Sequence, residues 1–405
     1  MGALCLSLPF AARPAAAAPK DKVKTGIDVL EDDAFAELAG KRIGLITNHT
    51  GKDGRGRNTA EILAEAPRVA LRVLFSPEHG FLGTSEESAV SSATARLAGR
   101  EIPIRSLYGG GMAGMRPKAE DLKGLDALVF DIQDVGARFY TYLATMGMSL
   151  EESSKAGVEF VVLDRPNPIN GVTMEGPILA DPILRRVTPT AYFPVPVRHA
   201  LTPGEMALLY NAEVKHPRLT VIRMRGWRRE LWYDETGLPW TPPSPNMPDL
   251  DSATLYPGIG IFEAGNIAVG RGTPVPFRWI GAPWLDSKAV LRRLGKASLA
   301  GVRFSAKDYT PAKDVYAGKL CRGVAIEVTD RDLLRPLAVF RALNEAFLAL
   351  HPRDFQWRWD EVKRMVGTEE FHRIIERGAD PAELERLFDA GPGQFSKTRA
   401  PYLLY

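Results

Sequence analysis

The chain has 405 residues, 45% hydrophobic and 25% charged, a length that allows two cores and a balance ordinary for a globular fold. Its 52 Lys and Arg nearly cancel 49 Asp and Glu, leaving a net +3 with no basic arm, which argues against a nucleic-acid partner. Cys5 and Cys321 are the two cysteines, so a disulfide framework and a Cys/His zinc site are excluded, and no apolar run reaches the roughly 18–20 residues that span a bilayer.

The first residues read as a leader rather than as fold. Ala3 to Ala12 is apolar and Ala15 to Ala18 is a small-residue stretch, so residues 1–18 are expected to be a signal peptide, shortened at its charged end. Export to the periplasm or the extracellular space is the expectation that goes with it.

From Arg42 the pattern alternates. Apolar strands are expected at Arg42–Thr47, Val69–Phe75, Ile102–Leu107, Ala127–Ile132 and Glu159–Leu163, with helices between them, including 58–66 and 137–156. Alternating β and α units with continuously apolar strands predict an α/β fold with a parallel sheet covered on both faces. Prolines crowd residues 166–203 and read as a linker or wrapping segment, so residues 24–203 are expected to form one subdomain and 204–405 a second, less regular α/β one. In the second, a helix is expected from Gly204, a strand at 219–224, an irregular stretch at 241–257, a strand at 324–328 and an amphipathic helix at 333–350.

Each of the first five strands ends in polar groups: Asn48-His49, Glu78-His79, Tyr108-Gly109, Asp131 with Asp134, and Asp164-Arg165. Ligands of open parallel sheets bind beyond such ends. Glu78, Asp131, Asp134, Asp164 and Glu175, with Glu263 further on, supply carboxylates able to divide acid and base roles by environment, which is what glycoside hydrolysis requires. Asp134 has a competing reading as a cap of the helix that follows it. Arg138, Arg165 and Arg271 are suited to a substrate carboxylate. A metal-dependent hydrolase using His79, Asp131 and Asp134 is the enzymatic alternative, although no helical HExxH spacing supports it. The stretch GGGMAG at 109–114 lacks the features of a phosphate loop, and PPSPNMP at 242–248 is too proline-rich for a helix or inner strand.

Taken together, SPEHGF at 76–81, SLYG at 106–109, FDIQDVGARFYTY at 130–142, LDRPNPING at 163–171, EGP at 175–177, PPSPNMP at 242–248, GRGTPVPF at 270–277 and the terminal YLLY resemble the exo-β-N-acetylmuramidase family, long known as a domain of unknown function. The resemblance covers the chain from about Gly26 to Tyr405. It implies a Rossmann-like subdomain followed by a second one, a cleft between them, and release of N-acetylmuramic acid from the non-reducing ends of peptidoglycan fragments, with no cofactor. On this reading Glu78 is the general acid, Asp131 or Asp134 the second carboxylate, and Glu175 their substitute. His79 would tune Glu78. Arg138 and Arg271 would hold the lactyl carboxylate of the sugar, and Asn167, Asn246 and Asn266 its hydroxyl and acetamido groups. Asn48, Tyr142, Asp164, Arg165 and Glu263 complete the expected lining. The partners would be peptidoglycan saccharides; the oligomeric state is left open. A non-catalytic muropeptide-binding protein is the alternative outside the enzymes.

Overall fold

The computed structural model describes residues 22–85, 91–378 and 380–405; the expected leader lies outside them. Among the described residues there are twelve strands: β1 (Arg42–Thr47), β2 (Ala70–Ser76), β3 (Ala93–Leu97), β4 (Arg100–Ser106), β5 (Ala127–Asp131), β6 (Glu159–Leu163), β7 (Glu175–Ile178), β8 (Pro196–Arg198), β9 (Leu219–Ile222), β10 (Trp279–Ala282), β11 (Val302–Tyr309) and β12 (Cys321–Val328). A seven-stranded sheet runs in the order β3-β4-β2-β1-β5-β6-β9, parallel except for the β3–β4 pair. The expected α/β fold with its parallel sheet is thus observed. β10, β12 and β11 make a separate antiparallel sheet, and β7 pairs antiparallel with β8. Among the described residues no helix is long and apolar enough to cross a membrane.

The strands alternate their side chains between two cores. Ala127 and Val129 of β5 face one apolar cluster with Ile43 and Leu45, while Leu128 and Phe130 face another with Ile46 and Phe75. That second cluster continues through Leu143, Met146 and Leu150 of the helix Thr141–Ala156 into Leu255 and Ile259 of the helix Leu250–Ile259 and Leu343 and Phe347 of the helix Pro336–Leu350. One core therefore joins the sheet to the C-terminal half.

Three expectations are corrected. The boundary at 203 falls inside the sheet unit, because the helix Pro203–Val214 is the crossover that delivers β9 alongside β6. Residues 241–257 are not irregular throughout: Asp249 caps the helix Leu250–Ile259 by accepting from Ser252 N at 2.8 Å, and the prolines before it obscured its start. The helix expected from 137 begins at Thr141, so Asp134 caps no helix; it accepts from Gly136 N at 2.7 Å in a loop.

The strand order reverses between β1 and β5, the crevice where α/β sheets usually bind ligands. Here it is filled. Asp131 ends β5 and is fully buried, as is Arg165 after β6. Arg165 donates from Nε to Oδ1 at 2.5 Å and from Nη2 to Oδ2 at 2.8 Å, and Thr59 Oγ1 donates to Oδ2 at 2.5 Å. The loop after β1 closes over the pair. Its Gly51 lies so near that a Cβ would come 2.2 Å from Thr47 Oγ1, and Arg165 Nη2 also holds Lys52 O at 2.9 Å. Breaking a buried, hydrogen-bonded ion pair from one side strands the other charge. Asp131→Asn is therefore expected to lose about 3–5 kcal/mol of stability in urea unfolding; a variant as stable as the parent but inactive would instead make Asp131 a catalytic group.

Candidate active site

The open cavity lies beside the filled crevice, toward β2 and β4. It has a volume of ≈ 410 Å³ and is lined from the sheet unit by Glu78, His79, Tyr108, Phe139, Tyr140, Thr141 and Thr190, and from the C-terminal half by Ser244, Asn246, Met247, Tyr256, Glu263, Arg271 and Phe277. Both halves of the chain build it.

Glu78 follows β2, and its Oε2 accepts from Thr141 Oγ1 at 2.5 Å. Thr141 is the first residue of the long helix behind it. The Tyr108 hydroxyl faces the same carboxylate; burial and that neighbouring charge push Tyr108 well above its ordinary range, so it is a neutral donor. His79 adopts a left-handed backbone, φ 68°, that a non-glycine residue rarely takes. Its ring Nδ1 lies 2.7 Å from Ser85 O, and Ser85 N returns a bond to His79 O at 3.2 Å. A carbonyl can only accept, so Nδ1 carries a proton, and Nε2 is the nitrogen whose lone pair is available in the tautomer this bond selects.

Across the cavity, Glu263 and Arg271 form an ion pair at 2.7 Å, and Arg271 Nε lies 2.9 Å from Asp314. Burial raises the Glu263 carboxyl, Arg271 opposes the rise, and Asp314 and Glu78 add to it. Tyr140 packs edge-on against Tyr142 and Tyr256, and its buried hydroxyl lies beside Ser244 without a well-formed hydrogen bond. The proline-rich segment that supplies Ser244, Asn246 and Met247 is held from the sheet unit at two adjacent carbonyls. His49 Nε2 donates to Pro242 O at 2.7 Å and Tyr142 Oη to Pro243 O at 2.6 Å.

Of the residues singled out from sequence, Glu78, His79, Asn246, Glu263 and Arg271 meet in this cavity. Tyr142 sits behind it as an anchor. The others are spent elsewhere. Asp131 and Arg165 fill the crevice, so Asp131 does not join His79 and Asp134 around a metal. Asp134 has His199 Nε2 at 3.7 Å and is buried. Glu175 braces β7 to β8 and to a helix, accepting from Arg198 Nη1 at 2.9 Å and from Leu337 N at 3.3 Å. Arg138, expected to hold a substrate carboxylate, is buried without one. It donates to Pro177 O, Val195 O and Met365 O, capping the C-terminal end of the helix Trp359–Val366, and burial pulls its pKa down to about 9. Asp164 accepts from Thr202 Oγ1, Gly204 N and Tyr405 Oη, and burial pushes it up to about 6. Asn48 closes the turn at Thr50. Asn167 bonds Leu201 O and Ile169 N, and Asn266 bonds Asp354 O and Gln356 N. The lining residues not singled out are mainly aromatic and hydroxyl groups. All of these but Thr190 and Tyr256 stood in quoted motifs and were legible to that extent; Thr190 and Tyr256 carried no signal that separated them from core or loop.

A carboxyl bonded by hydroxyls, opposite a second one on a guanidinium, over an aromatic-walled cavity with room for one sugar ring, describes a glycoside hydrolase. Residues 43–251 match the N-terminal and 254–405 the C-terminal model of the exo-β-N-acetylmuramidase NamZ family, and the chain belongs to that family. It is 40% identical over 391 residues to the peptidoglycan β-N-acetylmuramidase NamZ of Bacillus subtilis (strain 168), covering 96% of this chain and 92% of that one. Two crystal structures of DUF1343 family proteins from Bacteroides fragilis NCTC 9343 share the fold. One superposes with a TM-score of 0.87 at 33% identity over 96% of this chain and all of the other. The second gives 0.74 at 30% over 95% and 99%. The family models meet at residues 251–254, beyond β9, as the sheet topology requires.

The clasp on the proline-rich segment is testable. Tyr142→Phe leaves Pro243 O buried without its donor, a loss of about 1–3 kcal/mol. A lower urea midpoint together with a raised KM is expected; unchanged values in both would show that the clasp does not position the segment.

Proposed function

We propose that this chain is an exo-acting β-N-acetylmuramidase that cleaves terminal N-acetylmuramic acid from peptidoglycan fragments, with Glu78 as the general acid. Family membership supports the activity. The observation that supports the acid is that Glu78 and Glu263 are the carboxyl groups lining the cavity, and Glu263 is engaged by Arg271. Among the described residues, Glu78 faces the Thr141 and Tyr108 hydroxyls with no guanidinium set against it as Arg271 is set against Glu263. Asp131, Asp134 and Glu175 are bound up in buried contacts, so none of them supplies the second group. His79 Nε2, whose lone pair is available in the tautomer that the Nδ1–H bond to Ser85 selects, is the base that would draw a proton from attacking water. Tyr140, Ser244 and Asn246 would meet the hydroxyl and acetamido groups, with Phe139, Tyr256 and Phe277 against the apolar ring face.

The Ala-rich residues 3–18 support a further part of the reading, export to the compartment of the wall itself. No step requires a metal ion.

A general acid matters most when the leaving group is poor. Glu78→Gln is expected to lose about 10²–10⁴-fold in turnover on a muramyl disaccharide and far less on a dinitrophenyl muraminide, whose leaving group needs no proton. His79→Gln should slow both substrates alike. Equal losses on both substrates in Glu78→Gln would remove Glu78 as the acid.

A further inference from the structure

A second chamber of ≈ 200 Å³ adjoins the sugar cavity, with Ile267, Ala268, Val269 and Val315 as its apolar walls and Asp314 and Arg358 beside them. The two cavities share Glu263 and Arg271, so the ion pair between these residues is the partition. Arg271 already faces two carboxylates, Glu263 at 2.7 Å and Asp314 at 2.9 Å. Arg358 adds no uncommitted cation: it donates to Glu263 O, to Gly265 O at 3.0 Å and to Glu361 at 2.9 Å. A third carboxylate can reach Arg271 only if one of the present two gives up its place or its charge, because like charges crowded on one guanidinium disfavour one another's ionised form.

Glu263 is the group placed to yield. Its neighbours are Arg271, which favours its charge, and Asp314 and Glu78, which oppose it; the nearby Tyr256 and Tyr140 hydroxyls are held neutral by burial. Asp314, by contrast, is an exposed side of the triad. N-acetylmuramic acid differs from N-acetylglucosamine by a lactyl ether, a methyl and a carboxylate on one carbon, which matches a small apolar chamber with a guanidinium at its mouth.

We propose that this chamber is the subsite for the acidic side arm of the sugar: the lactyl methyl lies against Ala268, Val269 and Val315, and its carboxylate replaces that of Glu263 on Arg271 while Glu263 takes up one proton from solvent. This rests on the reading that the Glu78 cavity holds the muramyl ring. The charge balances, since one anion enters and one is neutralised. The partition then serves as a specificity device, because a sugar without the acidic arm leaves the Glu263–Arg271 pair closed.

Calorimetric titration of the full chain with free N-acetylmuramic acid and with N-acetylglucosamine, at neutral pH in two buffers of different ionisation enthalpy, tests the exchange. About one proton taken up per N-acetylmuramic acid, and about none per N-acetylglucosamine, is expected from the swap of one carboxylate for another. Glu263→Gln should bind N-acetylmuramic acid at least as tightly as the parent with the proton uptake gone. Val315→Trp, which fills the chamber, should weaken N-acetylmuramic acid relative to N-acetylglucosamine by about tenfold or more. Binding of N-acetylmuramic acid without proton uptake by the parent chain overturns the proposal, as does a folded Val315→Trp that does not discriminate. If neither sugar binds, the muramyl-ring reading of the larger cavity falls, an outcome distinct from failure of the side-arm exchange.

Discussion

The structure turns on the buried pair between Asp131 and Arg165. It occupies the reversal point of the sheet, satisfies the end of β5, and ties the loop after β1 to the segment after β6. A charge pair taken out of water holds only when its remaining lone pairs and protons are matched, and here Thr59 and Lys52 O match them. With the usual crevice filled, the ligand cavity is moved sideways, to the ends of β2 and β4. The residues there are Glu78, His79 and Tyr108 rather than the aspartates of the central strands.

That displacement explains why the second half of the chain is needed. At the edge of the sheet unit only one wall of a cavity is available. The opposite wall comes from the proline-rich segment and from Tyr256, Glu263, Arg271 and Phe277, brought in by the shared core and by the His49 and Tyr142 bonds to Pro242 and Pro243. Arg138, buried and facing carbonyls on both sides of the junction, holds the helix Trp359–Val366 against the same unit. The result places two carboxyl groups of different character over one cavity: Glu78 among hydroxyls, Glu263 on a guanidinium.

Much of this was legible before the structure. Apolar runs such as RIGLIT and EFVVL must be strands buried on both faces, and they lie where expected, at 42–47 and 159–163. Glu78 was readable as functional because Ser-Pro-Glu-His-Gly offers it no helix to cap. Asp131 and Arg165 misled for a physical reason. A strand-end acid and a strand-end arginine look the same in sequence whether they face a ligand or each other, and only the spatial adjacency of β5 and β6 decides. Asp164 and Glu175 misled in the same way, through partners at Tyr405 and Arg198 that are distant or unmarked in the chain. The boundary at 203 failed because a proline-rich segment wraps the sheet unit as readily as it links two. The chamber beside Arg271 depends on contacts between residues 263–271 and 314–315, which no periodicity reports.

The central claim is that the sugar sits beside Glu78 and away from the Asp131 crevice. A crystal structure of the Glu78→Gln variant with a muramyl disaccharide bound tests it most directly. The account predicts the glycosidic oxygen within about 2.6–3.2 Å of the side chain at position 78, with the Asp131–Arg165 pair intact. A saccharide bound at the ends of β1 and β5, with that pair opened, would contradict it.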